Sequence, residues 1–483
     1  MALNHNPPLK DFNTILVEDS RHKMIGKDDA KIVFIGAGSA VWSSRIIIDL
    51  IINKDLRNVK VWLNDIDDHR LNLIYGFSTR YAREYGSSIK FRKTKDQVEA
   101  IKDADFVINA AMARGHGYYE RMRQVSERYG YYRGINSVEW NMVSDYHTIW
   151  GYYQFKLALE IAHRVEEYAP DAWLIQISNP VLELTTLISR YTKVKTIGLC
   201  HGHLGYLKVL RILGLRPNDV EVEMIGLNHL IWLTKFKVKD GEGYQLLDDW
   251  IRRESETYWK KWWETTSDPF DISLSPAAID MYRTYGLLPI GDAVRAGTWK
   301  YHWDLETKKR WYGPFGGPDS EIGWSIYIAD LRRKMMELEQ AVHDHSVPLT
   351  LRYPPKPSGE QVVPIIDSII NDKRASYQVN VLNFGSIPGV RDDIAVEMPA
   401  EIDGRGVHRR SFPQLPSKIL KYAIMPRIMR AEWSISAFME GGRDHLFEWL
   451  IVDRRTNSIS QVNQVIDAIL RMPENDEMAK HFK

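Results

Sequence analysis

The 483-residue chain contains a single cysteine, which excludes an internal disulfide and fits a reducing compartment. No apolar stretch reaches the roughly 18 residues that a membrane-spanning helix needs. The first residues lack a cationic start followed by an apolar run, so we expect no signal peptide. These absences together predict a cytoplasmic protein that does not associate with membranes.

The chain also lacks an excess of charge of either sign. It has 64 basic and 63 acidic residues and a formal net charge of +1, so no general electrostatic field would attract nucleic acid. With 44% apolar residues it can bury a large core, and its length fits two to three domains or one α/β domain with a large appended half. A small molecule is the expected partner.

Strands and helices alternate in the first half of the chain. Short apolar strands are predicted at Lys31–Ile35, Val59–Leu63, Asp105–Asn109, Trp173–Ile177 and Val194–Leu199, with helices near Trp42–Ile52 and Asp68–Tyr85. This order predicts an α/β fold with an N-terminal Rossmann-type doubly wound parallel sheet. Beyond about residue 220 the pattern changes to an α+β half, so the whole is expected to be lactate/malate dehydrogenase-like.

Three regions follow from this division. Residues 1–29 read as an N-terminal extension, 30–220 as a Rossmann NAD-binding domain, and 221–483 as an α+β domain for substrate, metal and oligomerisation.

A dinucleotide-type turn, Gly36-Ala37-Gly38-Ser39, lies between the first strand and the first helix. Such a turn lets backbone amides approach a pyrophosphate at the helix N-terminus. The third glycine of the usual fingerprint is replaced by Val41, so a purely structural turn competes with this interpretation. Asp65 ends the second strand, where a carboxylate accepts hydrogen bonds from a ribose diol and repels a 2′-phosphate. The pattern favours NAD over NADP, with Asp67 as the rival acid.

The lone thiol, Cys200, follows a predicted strand, and His229 follows another segment that ends in Gly226-Leu227-Asn228. A thiolate and an imidazole on separate segments can hold a divalent metal. The competing interpretation of His229 is a hydrogen-bonded core histidine. Ligand softness favours zinc or iron, but the sequence alone does not select the metal.

Several polar residues near these segments are candidates for binding and proton transfer. Asn179, in Ser178-Asn179-Pro180, either forms a turn or contacts a substrate hydroxyl, and Arg295 is either an ion-pair partner or a substrate anchor. The candidate proton carriers are Asp145, His201, His203 and Asp292. For an isolated aspartate, a surface or capping role is the default.

From Lys31 to about Lys480 the chain resembles glycoside hydrolase family 4, the NAD- and metal-dependent glycosidases. The resemblance is carried by Gly36-Ala37-Gly38-Ser39-Ala40, Ser178-Asn179-Pro180, Cys200-His201-Gly202-His203 and Gly226-Leu227-Asn228-His229. Other blocks resemble the bacterial α-glucosidase branch, including Asn141 to Tyr146, Ser275 to Tyr282 and Pro289 to Asp292.

The resemblance implies that Cys200 and His229 bind a divalent ion, usually Mn2+, that Asn179 contacts the sugar, and that Asp145 and Asp292 lie close to the reacting ring. It implies α-glycoside hydrolysis by NAD-dependent oxidation at C3, deprotonation at C2, elimination, water addition and re-reduction. A homodimer or homotetramer is implied in the same way. His201 stands where phospho-sugar enzymes of the family carry Asp or Asn, which disfavours a 6-phosphorylated substrate.

Two further interpretations stay open. α-Glucosides are the expected substrates, with α-glucuronides or α-galacturonides as the alternative. An NAD-dependent 2-hydroxyacid-type dehydrogenase would also explain the glycine turn and Asn179, but it has no need for Cys200 and His229.

Overall fold

A computed structural model describes residues 29–133, 151–239, 241–297 and 299–483. Asp145 and nearly all of the predicted extension, residues 1–28, lie outside the described residues. No helix among the described residues is both long and apolar enough to span a bilayer.

The strands of the described residues join in one sheet. In chain order they are β1 Lys31–Ile35, β2 Lys60–Asn64, β3 Lys90–Thr94, β4 Phe106–Asn109, β5 Trp173–Gln176, β6 Lys195–Gly198, β7 Val220–Leu227, β8 Leu230–Val238, β9 Gly241–Glu242, β10 Pro289–Ile290, β11 Ala375–Leu382, β12 Ala395–Asp403 and β13 Gly406–His408.

The first half of the sheet is parallel and has the order β3-β2-β1-β4-β5-β6. This is the strand order of a Rossmann fold, in which the connections reverse direction between β1 and β4 and leave a crevice at the carboxyl ends of those strands. The predicted doubly wound parallel sheet is therefore confirmed.

Beyond β6 the sheet continues through antiparallel neighbours in the order β11-β12-β7-β8-β10. The segment 375–403 thus inserts two strands between β6 and the hairpin of β7 and β8. Strands that are far apart in the chain become neighbours in this way, and the two halves share one sheet.

Helices flank the sheet. They are α1 Ala40–Ile52, α2 Asp68–Tyr85, α3 Gln97–Ile101, α4 Gly115–Arg128, α5 Tyr152–Tyr168, α6 Val181–Tyr191, α7 Gly205–Ile212, α8 Gly243–Arg253, α9 Ser255–Thr265, α10 Pro276–Tyr285, α11 Trp299–His302, α12 Leu305–Tyr312, α13 Glu321–His343, α14 Leu349–Arg352, α15 Val362–Asn371, α16 Ser417–Ile419, α17 Met425–Glu440, α18 Arg443–Ile451, α19 Ile459–Leu470 and α20 Asp476–His481.

Helix boundaries follow local chemistry. α2 begins after Asp67, whose side chain accepts a hydrogen bond from the Arg70 amide, and it ends at Gly86 in the left-handed conformation. An aspartate cap is a common helix start signal, and a glycine in the left-handed conformation is a common stop signal. Asp67, the rival acid for ribose binding, is therefore a capping residue.

A buried lysine lies in the second half of the chain. Lys308 on α12 is 2% exposed, and its ammonium donates to the carbonyl oxygen of Asp319 at 2.7 Å. Burial, reinforced by the positive charges of Arg133 and Arg455, lowers the pKa of Lys308 to about 7.

Candidate functional site

Cys200 and His229 leave the sheet at the same edge. Cys200 comes two residues after β6, and His229 lies in the two-residue turn between β7 and β8. His229 has a φ of +61°, a left-handed conformation that costs a non-glycine residue about 1 kcal/mol or more. Backbone strain of this kind is concentrated at functional sites.

Asp292 reaches the same place from the loop after β10. Gly291 has a φ of +59°, and a Cβ there would lie 2.0 Å from the carbonyl oxygen of Gly202. The two loops therefore pack backbone against backbone, which only glycine permits. This contact brings Asp292 next to Cys200.

The three side chains converge on one point. Ligand atoms of Cys200, His229 and Asp292 all lie within 4.8 Å of one another, and Nε2 of His229 is 3.5 Å from Oδ2 of Asp292. The sequence predicted the thiol and the imidazole as metal ligands; the structure adds a carboxylate that was predicted only as a proton carrier.

The electrostatics of this cluster suit a cation. Burial raises the pKa of the Cys200 thiol well above its usual value, and the charges of Glu397 and Asp292 raise it further. Burial lowers the pKa of His229 to about 4, which keeps the imidazole neutral with a lone pair available. A bound dication would reverse the effect on the thiol, because metal coordination stabilises a thiolate. Thiolate, imidazole and carboxylate together fit a divalent metal.

Arg295 is held by two carboxylates. It is 2% exposed, with Nη1 3.4 Å from Oδ1 of Asp292 and Nε 3.3 Å from Oδ2 of Asp319. Burial raises the pKa of Asp292, but the charges of Arg295, His229 and His201 outweigh it and hold that pKa below its usual value. Of its two predicted roles, Arg295 is thus placed as an ion-pair partner.

The two histidines of the motif Cys200-His201-Gly202-His203 lie outside the convergent cluster. The His201 side chain is 68% exposed, with Nδ1 3.7 Å from a carboxylate oxygen of Glu360. Nδ1 of His203 is 3.0 Å from the carbonyl oxygen of Cys200, and burial lowers the pKa of His203 to about 4. The structure therefore places His203 on the backbone of the cysteine loop and His201 at the surface.

Asn179 lies three residues after β5 and is joined to Pro180 by a cis peptide bond. The preceding Ser178 is fixed by the Gln176 side chain, which donates to its hydroxyl oxygen at 2.7 Å. Oδ1 of Asn179 is buried and accepts no hydrogen bond from any described residue. A buried acceptor in this state is costly unless a ligand or water satisfies it.

The glycine turn after β1 forms a tight cradle. The amides of Gly36 and Ala37 donate to the carbonyl oxygen of Asn64, and a Cβ on Gly36 would lie 2.5 Å from Cα of Ala111. This contact joins the loops after β1 and β4, where the crevice of the Rossmann fold opens.

Asp65 holds the same turn. The amide of Gly38 donates to Oδ2 of Asp65 at 2.7 Å, and the amide of Asp67 donates to Oδ1. A Cβ on Gly38 would lie 2.7 Å from that same Oδ2. Asp65 therefore packs directly against the glycine turn at the start of α1, and it follows β2 at the position where an acid binds the ribose in Rossmann folds.

Three buried residues behind the cluster were not predicted as site residues. Asn228 and Asn380 are 0% exposed and Glu397 is 1% exposed, and both amides donate to Oε2 of Glu397. The available signal was an acidic residue within the otherwise apolar run from Ala395 to Ala400 at the start of β12.

Comparison with known proteins identifies the family of the chain. Residues 31–215 match the family 4 glycosyl hydrolases, and residues 224–456 match the C-terminal domain of the same family. The chain belongs to glycosyl hydrolase family 4.

Individual relatives differ in their named substrates. The chain is 32% identical over 217 residues to an α-galactosidase of Bacillus subtilis strain 168, a match that spans 44% of this chain and only 48% of that relative. It is 23% identical over 447 residues to an α-galacturonidase of Thermoanaerobacterium saccharolyticum, covering 88% of this chain and 91% of the relative.

The fold is shared with solved structures. A 6-phospho-α-glucosidase from gut microorganisms, in complex with NAD and Mn2+, has a TM-score of 0.71 at 18% identity, covering 94% of this chain and 100% of that chain.

Proposed function

We propose that the protein is an α-glycosidase for unphosphorylated sugars that uses NAD and a divalent metal, Mn2+ in the first instance. The observation that carries the proposal is the convergence of Cys200, His229 and Asp292 within 4.8 Å in a family of glycosyl hydrolases. The glycine cradle at Gly36 and Gly38 supplies the nucleotide site.

When bound, the nucleotide would carry a hydride from and back to C3 of the sugar, and the metal would polarise the sugar oxygens at C2 and C3. Cys200 and His229 would hold the metal, and Asn179 would donate or accept at a sugar hydroxyl. Asp292 belongs to the ligand cluster and also pairs with Arg295, so its carboxylate could either coordinate the metal or take the C2 proton. Tyr282 and Tyr285 of α10 carry the other hydroxyl groups that could take part in this proton transfer.

The surroundings of Tyr282 bear on whether it could take the proton at C2. Its hydroxyl donates to Oδ1 of Asp248 at 2.9 Å, and burial followed by that carboxylate raises the pKa of Tyr282 to about 12. A phenol held in this way stays protonated at neutral pH and must lose its own proton before it can act as a base. The Asp292 carboxyl group, whose pKa is lowered, is already ionised, which favours Asp292 for the proton at C2.

α-Glucosides are the first substrates to test, because the sequence blocks extend the resemblance to α-glucosidases. α-Galacturonides are the second candidate, since a relative aligned over 88% of the chain carries that name. Arg295 is already engaged by Asp292 and Asp319, so recognition of a uronate would depend on another cation, for which exposed His201 and Arg114 are candidates.

The deciding experiment is product analysis by NMR after hydrolysis in D2O, with NAD, Mn2+ and a thiol reductant. Aryl α-glucoside, α-galactoside and α-galacturonide are assayed in parallel. Deuterium at C2 of the released sugar is the expected result, because oxidation at C3 makes the C2 proton exchangeable. Sugar without deuterium would indicate direct displacement, and NADH accumulating with product would indicate a net dehydrogenase.

A further inference from the structure

Glu397 lies in a row of residues that crosses four neighbouring strands. Gly198 of β6 pairs with Asn380 of β11, Asn380 with Glu397 of β12, and Glu397 with Gly226 of β7. The ends of this row lead directly into the two segments that carry Cys200 and His229. Asn380 and Glu397 therefore lie on the two strands that separate β6 from β7, the strands that lead to the proposed metal ligands.

Hydrogen bonds connect this row to both ligand segments. The Asn228 side chain, next to His229, donates to Oε2 of Glu397 at 3.0 Å. The Asn380 side chain donates to the same oxygen at 3.3 Å and to the carbonyl oxygen of Gly198 at 3.5 Å. One carboxylate oxygen thus joins the turn that carries the imidazole to the strand that precedes the thiol.

The row is tightly packed. A Cβ on Gly198 would lie 2.3 Å from Oγ1 of Thr185, and one on Gly226 would lie 2.2 Å from the carbonyl oxygen of Leu230. Small displacements at Glu397 therefore cannot be absorbed at either end of the row, and they would be transmitted to the loops that hold the ligands.

Because the Glu397 carboxylate is buried, it is an unusual group for a purely structural hydrogen bond. Burial raises the pKa of Glu397 to about 7, and the charge of Asp292 adds to the effect. An ionised acid in such a place is destabilising for the protein alone, and a cation bound at the neighbouring ligand cluster would offset that cost.

We propose that Glu397 is a positioning residue for the metal centre: its Oε2 holds the Cys200 and His229 segments at the separation that metal coordination requires. The inference rests on the proposed metal-dependent function, since it assumes that Cys200 and His229 bind a metal. It gives Glu397 a role that neither the motifs nor the ligand cluster itself assigns.

The test uses cobalt(II) as the probe, because a cobalt–thiolate bond gives a charge-transfer absorption band whose position and intensity report ligand geometry. Metal-free wild type, Glu397→Leu, Glu397→Gln and Asn380→Ala are titrated with Co2+ in the full-length chain. Near-ultraviolet circular dichroism verifies native packing. Glu401→Gln is the matched control, since Glu401 lies on the same strand but is exposed and paired with Arg374.

We expect Glu397→Leu to weaken Co2+ binding by about tenfold or more, the range seen when partners of metal ligands are removed, and to alter the ligand-field bands. Glu397→Gln keeps a hydrogen-bond acceptor at the same place, so it should lose less Co2+ affinity than Glu397→Leu. Asn380→Ala, which keeps the carboxylate but removes the link to Gly198, should change the bands in a folded protein even if the leucine variant does not fold.

Unchanged affinity and spectra in Asn380→Ala and in the folded Glu397 variants would overturn the inference while leaving the metal site intact. A wild type that shows no thiolate band with Co2+ would instead overturn the metal assignment within the proposed function, and this inference with it.

Discussion

Nε2 of His229 lies 3.5 Å from Oδ2 of Asp292, although His229 lies in the turn between β7 and β8 and Asp292 follows β10. The neutral imidazole and the carboxylate lie close to the Cys200 thiol, so all three side chains can coordinate a single ion. This arrangement leads to the first prediction.

Replacing Cys200 with serine removes the soft ligand and leaves a weak oxygen donor. We expect Mn2+ and Co2+ affinity to fall by about 100-fold or more and glycoside hydrolysis to fall with it. Metal binding by calorimetry and turnover of an aryl α-glycoside are the measurements. Because this chain has one cysteine, complete peroxide oxidation of the wild type should reproduce the loss, and full activity after such oxidation would count against the ligand assignment.

Replacing Arg295 with methionine leaves Asp292 and Asp319 without their shared cation. Breaking a buried ion pair in this way costs about 3–5 kcal/mol, so the free energy of unfolding of the metal-free protein should fall by that order. Saturating Mn2+ should recover part of the loss, because the ion compensates Asp292. Urea unfolding with and without metal measures both effects.

Arg252→Met is the control for the arginine variant. Arg252 pairs with Asp249 at the same three-residue spacing but is 71% exposed, and exposed pairs contribute about 0–1 kcal/mol. Equal losses in the two variants would contradict the role given to the buried pair.

Replacing Asp65 with asparagine changes the acid that holds Gly38 and is placed for the ribose. We expect NAD affinity to fall by about tenfold and the preference for NAD over NADP to shrink, since the charge that repels a 2′-phosphate is gone. Fluorescence titration with both nucleotides gives the ratio. Asp67→Asn, at the cap of α2, should leave that ratio unchanged; the reverse pattern would make Asp67 the ribose ligand.

Lys308 gives a prediction for stability against pH. Its pKa is about 7 in the folded protein against an ordinary 10.5, so between these values the unfolded chain binds a proton that the folded chain lacks. The free energy of unfolding should therefore rise with pH from 7 towards 10, by up to about 1.4 kcal/mol per pH unit from this residue. Lys308→Met should lack this rise.

Urea unfolding at pH 7, 8 and 9 measures the difference between wild type and Lys308→Met. The adjacent Lys309, which is partly exposed and paired with Glu306, provides the control variant Lys309→Met. Parallel stability curves for wild type and Lys308→Met would show that the ammonium is not desolvated in the folded protein.

Much of the fold followed from local patterns. The prediction for β1 matches Lys31–Ile35, and that for α2 matches Asp68–Tyr85, because an apolar run before a glycine and a capped amphipathic segment are local signals. β3 escaped prediction since Lys90–Thr94 is polar, as suits an edge strand.

The site was only partly predictable for a related reason. Cys200 and His229 belong to short motifs that can be read from the sequence. The approach of Asp292 depends on the contact between Gly202 and Gly291. The position of Glu397 behind the cluster depends on the insertion of residues 375–403 into the sheet. Both are long-range consequences of topology that no local spacing reports.

The continuous sheet also has a mechanical consequence. Since Gly198, Asn380, Glu397 and Gly226 pair in sequence across β6, β11, β12 and β7, no hinge can open between the two halves through this line without breaking the ladder. We therefore expect any movement that accompanies substrate entry to lie in the loops rather than in a hinge across this row. Amide hydrogens along this row should exchange with solvent among the slowest in the molecule, throughout the catalytic cycle.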